Sequence, residues 1–322
     1  MINFLIAVFF FLICLKIYFK TRLNQHKCYK CLIGNTVVIT GANAGLGFHT
    51  ALDFAQRGAK IILACRNSQR AQEAVDKIIK ATNNENVSYK IFDAASFKSI
   101  RNFAKEINET EEKIDILVNN VGGSGFRDER TEDGHLKIVQ INHLAPFLLT
   151  HLLLGKLKRS PSARIVNIAS WAGKFGRFKI GDLETYPNSG NDFISDAVTY
   201  ANSKLYNILF TLELAKKLNG TNVTTNCLHP GTVNTDFFRL FPWYFREPAR
   251  ISGTLFFRNI EEGSRTYIYV SLSSDVKEVS GKFFDNCQEA SLYSSASNPE
   301  HAKMLWVKSE ELTKLSEDEK IK

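Results

Sequence analysis

The sequence predicts an α/β fold: a doubly wound parallel sheet of about seven strands, covered by helices on both faces, forming one domain behind an N-terminal membrane anchor. Three observations predict it. From about residue 36, short runs rich in β-branched residues alternate with stretches of helical length. The first run leads directly into a glycine-rich turn, "TGANAGLG", and then an apolar helical stretch ending near Gly58. No internal repeat, low-complexity run or Pro/Gly linker divides the chain beyond that turn.

Taken in order, residues 1–20 form the anchor. "MINFLIAVFFFLICLKIYF" is interrupted only by Asn3 and Lys16, and its length is at the lower limit for a spanning helix. A cleaved signal peptide wants charge before the apolar core and small residues after it, and both are missing. Lys16, Lys20, Arg22, Lys27 and Lys30 make residues 21–33 and their approach a basic juxtamembrane collar, which places the rest of the chain on the cytosolic side. Strands are expected at 36–40, 60–65, 87–92, 114–119, 164–169, 223–228 and 281–285. The domain runs from 34 to 310, with an aromatic-rich segment at about 236–258 and a charged tail at 311–322.

Composition narrows the function. The net charge is +8, but the five early cations account for most of it and leave about +3 elsewhere, with both signs interspersed. That excludes the folded basic stripe a nucleic-acid binder needs. Six cysteines form no disulfide framework, and Cys28 and Cys31 lack the second Cys/His pair of a zinc site, so no metal is expected. The early cysteines are candidates for palmitoylation.

Gly41, Gly45 and Gly47 let the backbone turn sharply and bring the helix start against a pyrophosphate. An NAD-selective site places an acid at the end of the second strand. Here "ACRNSQR" puts Arg66 there, suited to a 2′-phosphate, where the alternative is a solvated surface cation. Asp93, after the third strand, is placed to meet an adenine edge or to cap the next helix. "NNVGG" supplies a flexible polar turn after the fourth strand, and "RIVNIAS" ends the fifth at Ser170. "AVTYANSKLYN" sets Tyr200 and Lys204 four apart, on one helix face. In "QINHLAPFLLT", Pro146 has no N–H for the carbonyl of Asn142, so a helix there should bend.

In family order and spacing, "TGANAGLG", "NNVG", Ser170, "YANSK" and "HPGTVNT" resemble the short-chain dehydrogenase/reductase family, from residue 34 to about 290, and imply its Rossmann-type fold. Val121 and Ala169 depart from the usual Ala and Ser of its motifs without removing a functional atom. The resemblance implies Asn142, Ser170, Tyr200 and Lys204 as catalytic residues, with Ser170 also binding substrate and Asn142 holding a proton-relay water at a helix kink. It implies cofactor contacts from Gly41, Ala42, Asn43, Ala44, Gly45, Leu46, Gly47, Arg66, Asp93, Asn120, Tyr200, Lys204, Pro230, Gly231, Val233 and Thr235. An ammonium beside the phenol is expected to lower its pKa from about 10.

The 29 residues between Ser170 and Tyr200, with "GRFKIGDLETY" among them, look most like the retinol dehydrogenase group. An anchor and Arg66 also suit that group's cytosol-facing, NADP(H)-using members. The implied enzyme is an NADP-dependent oxidoreductase of a lipophilic alcohol or carbonyl, retinol/retinal first, anchored in the endoplasmic reticulum membrane with its domain facing the cytosol. A homodimer is the assembly the resemblance allows. "DFFRLFPWYFREPARISGTLFF" interleaves rings with arginines, as a bilayer-facing lid would. Steroid or fatty-aldehyde reduction by the same residues is the enzymatic alternative. A non-catalytic nucleotide-binding scaffold is another, though such proteins typically lose the Tyr or the Lys.

Overall fold

The central strand runs of this chain are short and largely apolar on both sides, so they are stable only where helices cover both faces of the sheet. The structure, a computed structural model, has that arrangement. It describes residues 23, 28–188, 190, 192–233 and 257–321; the expected anchor, residues 21, 22 and 24–27 of the collar, Thr235 and nearly all of the 236–258 lid lie outside the described residues.

Seven strands run parallel: β1 Thr36–Thr40, β2 Lys60–Cys65, β3 Val87–Ile91, β4 Ile116–Asn119, β5 Ala163–Ile168, β6 Val223–His229 and β7 Phe283–Asp285. Their order is β3-β2-β1-β4-β5-β6-β7, and an eighth strand, β8 Gln288–Ala290, pairs antiparallel with β7. β8 is the element the sequence does not announce. Its two-residue turn is Asn286–Cys287, both at positive φ, the geometry of a type I′ hairpin without the usual glycine.

The pleat divides the core. Val38, Ile62 and Leu117 face one layer, with α3 Phe97–Thr110, α4 Lys137–Lys158, α5 Asp192–Lys217 and α7 Pro299–Leu312 packed on it. Val37, Ile39, Ile61 and Val118 face the other, under α1 Gly45–Gln56, α2 Ser68–Thr82 and α6 Ile260–Leu272. α4 is long and apolar enough to cross a membrane, but 83% of that stretch is buried here and it is a core helix. Beyond α7, Arg101 pairs with Glu319 while Leu315 and Ile321 are buried, so the charged segment packs onto the domain.

Two features of this frame position a site. The chain builds outward from β1 to β3 and then crosses to β4 on the other side of β1. That reversal opens a crevice at the carboxyl ends of β1 and β4, where open α/β sheets bind ligands. Helix starts also differ. Asn67, Ser96, Asn259 and Asn298 cap α2, α3, α6 and α7 with side-chain oxygens. α1 begins at Ala44 with no side-chain cap and no acid in its first turn.

Candidate active site

The uncapped start of α1 sits at that crevice. Gly41 and Gly45 have φ of +65° and +60°, the left-handed region, and a Cβ on Gly45 would meet nothing within 4 Å. Gly47 is needed for close approach, because a Cβ there would lie 2.5 Å from Asn120 Nδ2 and 2.7 Å from Gly41 O. Ala42 is buried under the turn, Ala44 is exposed, Asn43 is half-buried, and half-buried Leu46 packs against the core. Free N–H groups, open space and the helix dipole together fit a pyrophosphate.

On the adenosine side, β2 ends at Cys65, and Arg66 comes next, exposed and with no ion pair among the described residues. No carboxylate occupies that strand end, so the residues present fit a 2′-phosphate better than free ribose hydroxyls. Asp93 does not cap the next helix: Ser96 does, and Asp93 Oδ1 instead accepts from Ala95 N–H at 2.9 Å in a local turn. Asn120 is committed to the protein. Its Nδ2 donates to Thr40 O at 2.8 Å and Gly41 O at 3.2 Å, and its Oδ1 accepts from Tyr267 Oη at 3.1 Å. It fixes the spacing of the β1 turn and the β4 loop.

The bend expected in α4 is a π-helical turn, Gln140–Leu144, in which Ala145 N–H reaches back to Gln140 O. Within it, Asn142 is buried. Its Oδ1 accepts from Gly123 N–H at 2.8 Å, and its Nδ2 donates to Gly123 O and Ser203 Oγ, each at 2.9 Å. Ser203 Oγ in turn donates to Tyr200 O at 2.8 Å, so one chain of bonds joins the β4 loop, α4 and α5.

Tyr200 and Ser170 share a side-chain hydrogen bond. Ser170 also begins the turn Trp171–Phe175, its Oγ accepting from Ala172 N–H at 3.2 Å. Lys204 Nζ lies 5.8 Å from the Tyr200 ring centroid and donates to Ile168 O at 3.0 Å. Burial pushes Lys204 down to about 8 and Tyr200 up to about 12, the Ser170 bond opposing the latter. The expected downward shift of the phenol is therefore reversed. Desolvation of the phenolate outweighs the Ser170 bond, and the ammonium, held toward Ile168 O, does not offset it.

Across the crevice, Pro230, Gly231 and Val233 come just after β6. Arg258, at the far end of the expected lid, fastens them. Its N–H donates to Thr232 O at 2.8 Å, its Nη1 donates to Pro230 O at 3.0 Å, and its Nη2 stands 3.6 Å from Asp285 Oδ1. Sequence reasoning missed this residue, and also a buried amide network beneath the site. There Asn119 Nδ2 donates to Asn167 Oδ1 at 2.8 Å, and Asn167 Nδ2 to Thr211 Oγ1 at 3.0 Å. The available signal was an asparagine in each of two largely apolar strands, "ILVN" and "ARIVNI".

Comparison with known proteins agrees with this geometry. The short chain dehydrogenase family model matches residues 35–181. Mouse retinol dehydrogenase 14 is 40% identical over 286 residues, covering 85% of this chain and 84% of the relative. Mouse retinol dehydrogenase 11 is 40% identical over 278 residues, covering 85% of each. Among solved structures, an uncharacterised Mycobacterium paratuberculosis protein superposes with TM-score 0.69 at 29% identity, over 88% of this chain and 95% of that one. A Shigella flexneri short chain dehydrogenase complexed with NADP gives 0.62 at 21%, over 80% and 98%, a likeness of fold. The chain belongs to the short-chain dehydrogenase family of oxidoreductases, and within it to the retinol dehydrogenase group.

Proposed function

We propose that the protein is an NADP(H)-dependent oxidoreductase that interconverts a lipophilic alcohol and its carbonyl, with retinol and retinal as the first pair to test. The observation that carries this reading is the hydrogen-bonded Tyr200–Ser170 pair with buried Lys204 beside it, at the same sheet edge as the uncapped start of α1. The cofactor choice is supported by Arg66 at the end of β2 and by NADP and NADPH in fold relatives; the substrate class is supported by the retinol dehydrogenase relatives.

In the reducing direction, bound NADPH would supply the hydride for the carbonyl carbon, leaving negative charge on the carbonyl oxygen. The chain's own residues manage the proton. A phenol held near 12 is fully protonated at neutral pH, so Tyr200 can donate its proton to the developing alkoxide. Ser170 Oγ donates a hydrogen bond to the same oxygen and fixes its direction. As the phenolate forms, the Lys204 ammonium stabilises it; Nζ gives one of its three donors to Ile168 O, and the remaining capacity can hold a ribose hydroxyl. Both amide atoms of Asn142 are engaged, so its share in proton relay passes through its main-chain carbonyl, which Pro146 has no N–H to meet.

The apolar run at residues 1–20 and the basic collar at 21–33 support a tether to the cytosolic face of the endoplasmic reticulum membrane. A homodimer would use a face other than the one α7 covers, where Trp306 packs on Phe147, His151 and Phe210 of α4 and α5. Purified full-length protein should oxidise NADPH with all-trans-retinal or a long-chain aldehyde. Tyr200→Phe should slow this by about 100-fold or more while NADPH still binds. Wild-type protein inactive on retinoids, steroids and aldehydes alike would turn the reading to a nucleotide-binding scaffold.

A further inference from the structure

The ten residues after Ser170, WAGKFGRFKI, contain three aromatic rings, three cations and no carboxylate. Trp171 is 53% exposed and Phe175 61%, and their rings meet edge to face with centroids 4.8 Å apart. A Cβ on Gly176 would lie 2.7 Å from Ala201 O, and Arg177 N–H donates to Asn202 Oδ1 at 2.8 Å, so the loop lies flat against α5. Three and seven residues before Ala201, on the same helix face, Val198 and Ile194 are 42% and 50% exposed. Four apolar side chains thus form one exposed rim beside Ser170, the kind of patch that marks an interaction site.

The charges around the rim indicate what covers it. Lys174, Arg177 and Lys179 are exposed and make no ion pair among the described residues. The nearest carboxylates are already engaged. Glu184 pairs with Lys308 at 3.0 Å and Asp192 with Arg127 at 3.6 Å. Asp196 accepts from Arg127 N–H and Tyr186 Oη, and Asp182 from Asn202 Nδ2. Free cations alternating with Trp, Phe and Ile suit a lipid headgroup boundary, whereas the cores of protein interfaces are depleted in lysine.

We propose that this rim docks on an anionic phospholipid surface, with Trp171, Phe175, Ile194 and Val198 in the headgroup–acyl boundary and the three cations against phosphates. The proposal rests on the lipophilic-substrate reading and adds the route by which such a substrate reaches Ser170 without crossing water. It also supplies an orientation that an N-terminal tether does not. The chain enters the domain at the opposite, amino edge of the sheet, where Arg57 Nη1 donates to Cys28 O at 2.5 Å and Leu32 N–H to Arg57 O at 2.8 Å.

The test uses full-length protein reconstituted in phosphatidylcholine vesicles with and without phosphatidylserine. Fluorescence quenching by chain-brominated lipid, taken as the difference between wild type and Trp171→Phe, reports whether Trp171 meets the bilayer. It should be quenched, and more so with phosphatidylserine. The variant Lys174→Glu/Arg177→Glu/Lys179→Glu should raise the apparent KM for a vesicle-borne long-chain aldehyde at least tenfold on anionic vesicles, since each cation at such a surface contributes about fivefold. Its kcat/KM for a short water-soluble aldehyde should be unchanged. Trp171 shielded from the quencher, or equal vesicle-substrate KM values for variant and wild type, overturns the proposal. If the wild type reduces no carbonyl at all, the function reading fails, and the quenching still decides docking.

Discussion

At the amino edge of the sheet, Asp115 accepts from Thr36 N–H at 2.8 Å, Ser160 Oγ at 2.6 Å and Lys113 Nζ at 2.9 Å. There too Arg164 donates to the carbonyls of Val270 and Ser273, and Glu111 pairs with Lys60 at 2.7 Å. At the carboxyl edge, Arg66 has no ion-pair partner among the described residues, α1 starts without a cap, and Lys204 is buried against a carbonyl. The same sheet engages its charged groups with protein partners at one edge and leaves more of them available at the other. Unmet donors of this kind are tolerated where a ligand completes them, so the contrast itself locates the chemistry.

The comparison breaks most severely at Lys204. Lys204→Met should lower carbonyl reduction by about 100-fold or more, because no ammonium remains to stabilise the phenolate. It should also stabilise the fold. Lys204 gives up its proton near pH 8 in the folded chain but keeps it to about 10.5 when unfolded. Between those values the unfolded state binds more protons, so wild-type stability climbs with pH. The variant should lack that climb and be more stable below pH 8 by up to about 3 kcal/mol. Thermal unfolding of both proteins in detergent across about pH 7 to 10, a window on the scale of ordinary lysine titration, reads this out; parallel curves would refute a desolvated lysine. Wild-type reduction should fall as pH rises through about 8, as the ammonium is lost.

The opposite edge should respond in the opposite way. Asp115→Ala leaves the Thr36 N–H and the Ser160 hydroxyl without an acceptor and should cost about 3 kcal/mol of stability. Activity per folded molecule should be retained. A large fall in kcat with normal stability would show that the two edges are coupled.

Much of this division was legible in the sequence. Parallel strands buried on both faces read as nearly continuous apolar runs, and all seven fall within two residues of their expected limits. Pro146 announced the irregular turn at Asn142 because a missing N–H is a covalent fact. What escaped depends on tertiary structure. The direction of the Tyr200 shift is set by desolvation, which spacing along a helix does not encode. β8 turns on Asn286–Cys287 without a glycine to mark it. Arg258 meets Pro230 from far along the chain, a pairing that only folding brings about.

Arg66 offers a smaller effect and a sharper one. Arg66→Ala should weaken NADPH binding by about tenfold to 100-fold, the range for hydrogen bonds to a charged group, and should leave NADH affinity unchanged. Titration of both nucleotides by protein fluorescence checks it. Equal losses would assign Arg66 to the protein surface and remove the adenosine side from the contrast between edges.

Arg258 tests whether the carboxyl edge is held open by its own framework. Its guanidinium bonds Pro230 O while its main chain bonds Thr232 O, so truncating the side chain removes one of two fastenings and leaves the other. A charged donor to a half-buried carbonyl contributes about 1.5 kcal/mol, so Arg258→Ala should raise the KM for NADPH about tenfold at most. The kcat should move less, because Tyr200, Ser170 and Lys204 are carried by β5 and α5 rather than by this loop. Arg258→Lys can still reach Pro230 O but cannot also face Asp285, and should recover part of the loss. If kcat fell as far as KM rose, with no recovery by lysine, the loop would be part of the reacting geometry. The carboxyl edge would then depend on Arg258 as closely as the amino edge depends on Asp115.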